Sequence, residues 1–278
     1  MNITRNASKA TAVISSSIIS LLAAVLPGEA ATFATSTSAF SFGNFSQIPN
    51  SVSTSTETDT NATVITSGEG RVINDAQASA LFNQDPAFSL NRTISESFGE
   101  GSNYLGFAES QASVLGQFEI LANTTFNFAF SGLLDLFTSI DDADSEQAQA
   151  TAGITFALLD ETANVLSSFE LFGNLNTPGG GDALFVESTA NVDWTIDDDA
   201  FFSGSDELEE IAFLQVSGSY SERFNAPNRL TLVEVKTSET YVSQEPVAQT
   251  PEPGMLVALL SLSGVAFSLR KTKGKAAN

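Results

Sequence analysis

Much of the chain follows a two-residue alternation of apolar and polar positions. Phe126, Phe128 and Phe130 alternate with smaller residues, and the same period recurs across 148–158. A period of two places successive side chains on opposite faces of an extended strand. Both segments therefore predict long β-strands, and the acidic break at 141–144 predicts that they form an antiparallel hairpin.

Other segments between residues 32 and 243 give weaker strand signals, separated by Gly-, Pro-, Asn- and Asp-rich turns. The Ser- and Thr-rich stretch 50–67 fits either a long surface loop or a polar edge region. Residues 76–82 predict a helical turn. In 211–220 the alternation slips by one residue, which predicts a β-bulge. Trp194 is in phase with its apolar neighbours, which predicts a packing role.

The predicted fold is an all-β, antiparallel two-sheet sandwich of jelly-roll type. About nine strands with turns between them favour that architecture, and 22 phenylalanines supply bulk for its core. An immunoglobulin-like sandwich is the alternative, although its cysteine pair is absent. The sandwich domain is expected at 32–243, and a linker at 244–250.

The N-terminal segment predicts an export signal. Arg5 and Lys9 precede an uncharged, increasingly apolar run at 11–26. Gly28 and Ala30 then match the small-x-small pattern that signal peptidase cleaves, so 1–31 is expected to be a signal peptide with a helical core. An uncleaved anchor is the competing interpretation, and the brevity of the apolar run argues against it.

The C-terminal segment 251–278 has three parts. Pro251, Glu252 and Pro253 precede an uncharged apolar run at 254–269. As a helix this run would be roughly 24 Å long, which is shorter than the roughly 30 Å hydrocarbon core of a bilayer. It therefore predicts a marginal or transient transmembrane span. The basic residues beyond it predict a stop-transfer signal that stays cytoplasmic: Arg270, Lys271, Lys273 and Lys275.

This tail resembles the PEP-CTERM sorting signal of bacterial surface proteins. The resemblance covers only 251–278 and rests on the order of the motif, the span and the basic end. It implies that an exosortase-type enzyme recognises Pro251, Glu252 and Pro253 and processes the tail. Two alternatives are a plain C-terminal membrane anchor and a glycolipid-anchor signal, and the basic end argues against the second.

The charge of the exported part is strongly negative. The sequence has 11 basic and 33 acidic residues; six basic and two acidic ones lie in the two end signals, which leaves five and 31, a net charge of −26. Such a charge repels nucleic acid, and it repels anionic polysaccharide unless cations bridge the two. The chain has no histidine and no cysteine, which excludes disulfides, Ser-His-Asp and Cys-His catalysis and the usual zinc sites.

Acidic clusters are the remaining candidates for chemistry. Alternating carboxylates suit Ca²⁺, which binds several oxygen ligands, although the spacing departs from a complete calcium loop and a solvated turn is the alternative. The third cluster, 206–210, predicts a short exposed turn or helix. The candidate calcium ligands are Asp141, Asp142, Asp144 and Glu146 in one cluster, and Asp197, Asp198 and Asp199 in another.

The sequence therefore predicts a non-enzymatic protein of the cell surface or extracellular matrix, exported and sorted through its tail. Its expected partners are signal peptidase, an exosortase-type enzyme, the membrane through 254–269 and polysaccharide. The alternative is a calcium-dependent carbohydrate binder. A carboxylate-dependent glycan hydrolase is a third interpretation, because two suitably spaced carboxylates can catalyse glycoside hydrolysis.

Overall fold

The described part of the chain is built from β-strands. A computed structural model describes residues 31–64, 70–197, 200–206 and 208–244. The predicted signal peptide, apart from Ala31, and the sorting tail lie outside these ranges. Within them, no helix is long and apolar enough to cross a membrane.

In chain order, the strands are β1 (Ala31–Gly43), β2 (Ser51–Val64), β3 (Arg71–Asn83), β4 (Phe88–Glu100), β5 (Tyr104–Ile120), β6 (Thr124–Ser139), β7 (Glu146–Leu159), β8 (Val165–Thr177), β9 (Ala183–Ser188), β10 (Val192–Ile196), β11 (Phe201–Asp206), β12 (Glu209–Phe224) and β13 (Asn228–Gln244).

The strands form two antiparallel sheets that pack face to face. Sheet A has the order β10-β12-β6-β1-β4-β3, and β11 also pairs with β12. Sheet B has the order β2-β5-β13-β7-β8-β9. The all-β, two-sheet prediction is therefore confirmed.

The predicted hairpin between the two Phe- and Ala-rich strands is wrong. β6 pairs with β1 and β12 in sheet A, whereas β7 pairs with β13 and β8 in sheet B. The apolar faces of β6 and β7 meet across the interior, where the ring centroids of Phe130 and Phe156 lie 5.2 Å apart. The acidic segment 141–144 therefore connects the two sheets.

Three local predictions were decided by strand pairing. Residues 76–82 lie in β3 and pair with β4, so the predicted helical turn is wrong. The segment 50–67 contains the edge strand β2, which is the second of the two interpretations offered for it. The predicted bulge in 211–220 is absent, because β12 pairs with β6 without a register shift. Ile211 and Phe213 lie on the outer face, and Val216 and Tyr220 on the inner one.

Much of the sandwich interior is apolar. Its largest cluster of buried residues is rich in phenylalanine and draws on both sheets. Trp194 packs partly buried against this cluster, as predicted, and its Nε1 donates a hydrogen bond to Ser188 Oγ (3.1 Å). A smaller cluster that includes Ala34, Tyr104 and Val242 lies elsewhere in the interior.

Buried hydroxyl groups form a further part of the interior. Oγ1 of Thr93 lies 2.6 Å from Oγ of Ser38 and 2.9 Å from Oγ of Ser238, so β1 and β4 are bound to β13 across the sandwich. Oγ of Ser95 lies 2.9 Å from Oγ of Ser110. These groups satisfy one another, which offsets the cost of burying them.

Candidate functional site

The first predicted calcium cluster lies in the connection between β6 and β7, and its members differ in exposure. Asp141, Asp142 and Asp144 are exposed, whereas Glu146 is 1% exposed. Oδ1 of Asp142 accepts the backbone N–H of Asp144 (3.1 Å), and its Oδ2 accepts the hydroxyl of Ser145 (2.8 Å). These hydrogen bonds, chiefly that from Ser145, lower the pKa of Asp142.

Glu146 organises this turn from inside the protein. Its Oε2 accepts the backbone N–H groups of Asp141 (2.7 Å) and Asp142 (3.1 Å). Its Oε1 accepts the phenol of Tyr104 (3.3 Å), whose oxygen lies 2.5 Å from Oγ1 of Thr32. Burial raises the pKa of that phenol. These hydrogen bonds thus connect the turn to Thr32 of β1 and Tyr104 of β5.

The second predicted cluster is described only at Asp197, since Asp198 and Asp199 lie outside the described residues. Asp197 follows β10, and its Oδ1 accepts the hydroxyl of Ser217 (3.4 Å). Among the described residues, no three acidic side chains are grouped so that they could hold a metal ion.

The third acidic cluster, 206–210, lies where β11 ends and β12 begins, and the exposed Leu208 lies in a turn between these strands, in agreement with the predicted turn. Its described residues include Glu209 and Glu210, which lie in β12. Glu210 is buried and its Oε2 accepts the hydroxyl of Thr177 (2.5 Å). Burial, together with the nearby Asp182, raises the pKa of Glu210.

A polar flank runs along one side of the sandwich, where β2 and β3 meet. Among the described strands, β2 pairs only with β5, and β3 only with β4. Eight of the 14 residues of β2 are Ser or Thr, and all except Val52 are exposed. Nδ2 of Asn74 on β3 donates to the backbone oxygen of Asn61 on β2 (2.6 Å). At about 3.4 Å per residue, β2 makes the flank about 48 Å long.

An apolar groove of about 260 Å³ lies towards the opposite side of the sandwich. Residues of β9, β10 and the start of β11 line it, among them Phe185, Trp194 and Phe201. Phe201 is 47% exposed. The groove therefore presents aromatic surface to solvent at an edge of the protein.

The least expected group lies in the interior, where Asn91 of β4 meets Glu234 and Lys236 of β13. All three side chains are fully buried. Nδ2 of Asn91 donates to Oε2 of Glu234 (2.5 Å), and Nζ of Lys236 lies 2.7 Å from Oε1 of the same carboxyl group. We call these three residues the buried triad. Nζ also lies 5.9 Å from the ring centroid of Phe40.

Burial acts against the charged forms in the buried triad. Desolvation raises the pKa of Glu234 and lowers the pKa of Lys236, although each partner's charge opposes the shift of the other. An ammonium group has three hydrogens to donate. Apart from its contact with Glu234, Nζ has no hydrogen-bond partner in the described part of the chain. Burial therefore acts against the charged form of each of these two groups.

Sequence reasoning missed the buried triad. Glu234 and Lys236 alternate with Val233, Val235 and Thr237 in β13, so both charges share one face. That face continues from Leu230 and Leu232, which are buried in the core. The sequence therefore contained one indication of this site, a charge pair in phase with core leucines. No feature of the sequence indicated that Asn91 of the other sheet would contact this pair.

Comparison with protein-family models, with curated proteins and with solved structures finds no significant match. The signal-cleavage residues Gly28 and Ala30, the motif Pro251–Glu252–Pro253 and the basic end all lie outside the described residues.

Proposed function

We propose that this is a non-enzymatic structural or adhesive protein of the bacterial cell surface or extracellular matrix, sorted there through its C-terminal tail. An export signal at one end and a sorting signal at the other support the route. Within this proposal, the sandwich is of jelly-roll type, with a signal helix before it and a hydrophobic helix after it.

The polar flank is the observation that carries the adhesive role. A row of exposed hydroxyl groups on β2 offers hydrogen-bond donors and acceptors of the kind that a polysaccharide also carries. Backbone groups add to this surface on the sides of β2 and β3 that pair with no other described strand. A net charge of −26 in the exported part repels nucleic acid and favours cation-bridged contact with acidic polymers.

Fractionation of the native host tests the sorting route. We expect the wild-type protein in the outer envelope or the medium, and a variant with both Pro251→Ala and Pro253→Ala in the inner membrane. Pro246→Ala is the matched control, because it changes a proline in the linker and leaves the motif intact. Equal distribution of the double variant and the wild type would contradict sorting through this motif.

A calcium-dependent carbohydrate binder is the second candidate, and the apolar groove is the observation that favours it. An aromatic surface such as that of Trp194 and Phe201 can pack against the apolar face of a sugar ring, while convergent polar groups fix its orientation. Glycan-array binding that requires calcium and is lost in Trp194→Ala would support this function. Glycan binding that is unchanged in Trp194→Ala would show that the groove is not the binding site.

A further inference from the structure

The buried triad brings together a nucleophile, an acyl group and an acid. The amine of Lys236 and the amide of Asn91 contact the two oxygens of one carboxyl group, at 2.7 and 2.5 Å. Lys236 and Asn91 lie in different sheets, so this carboxyl group holds together side chains from both layers. Such positioning of reactants turns an encounter between two groups into a unimolecular step.

We propose that the protein forms an intramolecular isopeptide bond between Lys236 Nζ and Asn91 Cγ, with Glu234 as the acid–base catalyst. The bond would join β13 of sheet B to β4 of sheet A. It is a property of the folded domain and does not depend on where the protein is sorted.

The nucleophile is prepared by burial. Only a neutral amine has the lone pair needed for attack, and desolvation lowers the pKa of Lys236. Desolvation likewise raises the pKa of Glu234, so the carboxylate readily takes the proton that the ammonium group must lose. The 2.7 Å contact is short enough for that transfer.

The acyl group of Asn91 has a hydrogen-bond donor at its oxygen and the carboxyl group of Glu234 at its nitrogen. Oδ1 of Asn91 accepts the backbone N–H of Leu81 (3.3 Å), so a donor already faces the oxygen on which negative charge would develop. Nδ2 of Asn91 faces Oε2 of Glu234, which is where a protonated carboxyl could deliver a proton to the leaving nitrogen.

The reaction balances without a further reactant. The carboxylate of Glu234 takes one proton from the ammonium group of Lys236, and the neutral amine attacks Cγ of Asn91 to form a tetrahedral intermediate. Glu234 then gives its proton to Nδ2 and takes the second proton from the attacking nitrogen, the Cγ–Nδ2 bond breaks, and ammonia leaves, so that the products are the amide, ammonia and a protonated Glu234. The C–N bond that forms replaces the C–N bond that breaks, and no group is oxidised or reduced.

The surroundings exclude the competing reaction. All three side chains have no exposed surface, so bulk water does not reach the intermediate. Next to the triad, Phe40 is also fully buried, and its ring faces Nζ. Hydrolysis is therefore disfavoured relative to attack by the amine.

A tryptic peptide map of the folded wild-type protein tests the proposal directly. Trypsin does not cleave after a lysine whose amine is acylated, so cleavage after Lys236 should fail. The peptide 72–92 should be found joined to the peptide that begins at residue 230, with a total mass lower by one ammonia, about 17 Da. Fragment ions should locate the branch at Asn91 and Lys236.

Two variants test the roles of the residues. Glu234→Gln keeps the shape of the side chain but removes the acid, and loss of general acid–base catalysis should slow the reaction by about 10²–10⁴-fold. Ser238→Ala is the matched control, since it alters the next inward-facing position of β13 and should still give the branched peptide. Circular dichroism establishes that each variant is folded.

Two results would overturn the proposal. One is a folded wild-type protein that yields peptides 72–92 and 230–236 separately, at their unmodified masses. The other is a folded Glu234→Gln variant that forms the branched peptide as fast as the wild type. Neither result bears on the sorting of the protein, which the fractionation experiment tests by itself.

Discussion

Phe156 is the side chain whose truncation should cost the sandwich most. It has no exposed surface and comes from β7, while its ring neighbours come from both sheets. Its ring centroid lies 5.2–6.0 Å from those of five other rings: Phe40, Phe42, Phe128, Phe130 and Phe169. Phe156→Ala would therefore open a cavity where the two layers meet.

The expected magnitude follows from this burial. Truncation of a buried phenylalanine to alanine typically costs about 3–5 kcal/mol. Because contacts between aromatic rings are favourable beyond the burial of area, a ring with five ring neighbours is expected at the upper end of this range, at about 5 kcal/mol. For a domain of this size that corresponds to a melting temperature lower by about 10–20 °C.

Urea and thermal unfolding, followed by far-UV circular dichroism, measure the loss. Phe201→Ala is the matched control, because Phe201 is 47% exposed and its ring contacts only that of Phe213 among the ring pairs of the described residues. We expect the control to lose about 1 kcal/mol or less. Equal destabilisation by the two substitutions would refute the assignment of the Phe-rich cluster as the main core.

Three further predictions concern the cross-link, a turn and calcium. If the isopeptide bond closes a loop of about 145 residues, the chain-entropy model used for disulfides predicts that Glu234→Gln protein purified before the slowed reaction is complete has a free energy of unfolding lower by about 5 kcal/mol than the cross-linked wild type, measurable in urea. At Asp160, desolvation acts in the opposite direction, but hydrogen bonds from Thr162 and Asn164 lower the pKa to about 2. The ionised Asp160 therefore stabilises the folded state above the ordinary pKa of 3.8, and this contribution is lost as the pH falls towards 2. Asp160→Asn should for this reason reduce the dependence of the melting temperature on pH in the acid range. If the exposed aspartates bind calcium specifically, calcium should raise the melting temperature relative to EDTA, and magnesium should not reproduce the shift.

Local alternation was sufficient to predict strands but not their partners. The period of two in 126–139 and 148–158 is a local property, and both segments are strands. Whether two successive strands form a hairpin or cross between sheets depends on distant partners, here β1, β12 and β13. The same reason explains the helical turn predicted at 76–82, since pairing with β4 overrides an Ala-rich local preference.

The candidate sites likewise include residues whose setting the local sequence predicts and residues whose setting depends on distant partners. The exposed Asp141, Asp142 and Asp144 could be recognised as a polar turn from their sequence alone. Glu146 looks identical in the sequence, but it is buried because backbone N–H groups of its own turn and the phenol of Tyr104 satisfy its oxygens. The buried triad depends on two strands that are about 145 residues apart along the chain, and no local pattern relates Asn91 to Lys236.

The C-terminus of the protein recovered from its native host tests the proposed function most directly. Mass spectrometry of the envelope and medium fractions should find a chain that ends near Pro251–Gly254, without the apolar span and the basic residues. An intact tail on protein retained in the inner membrane would contradict sorting and leave a membrane-anchored periplasmic domain.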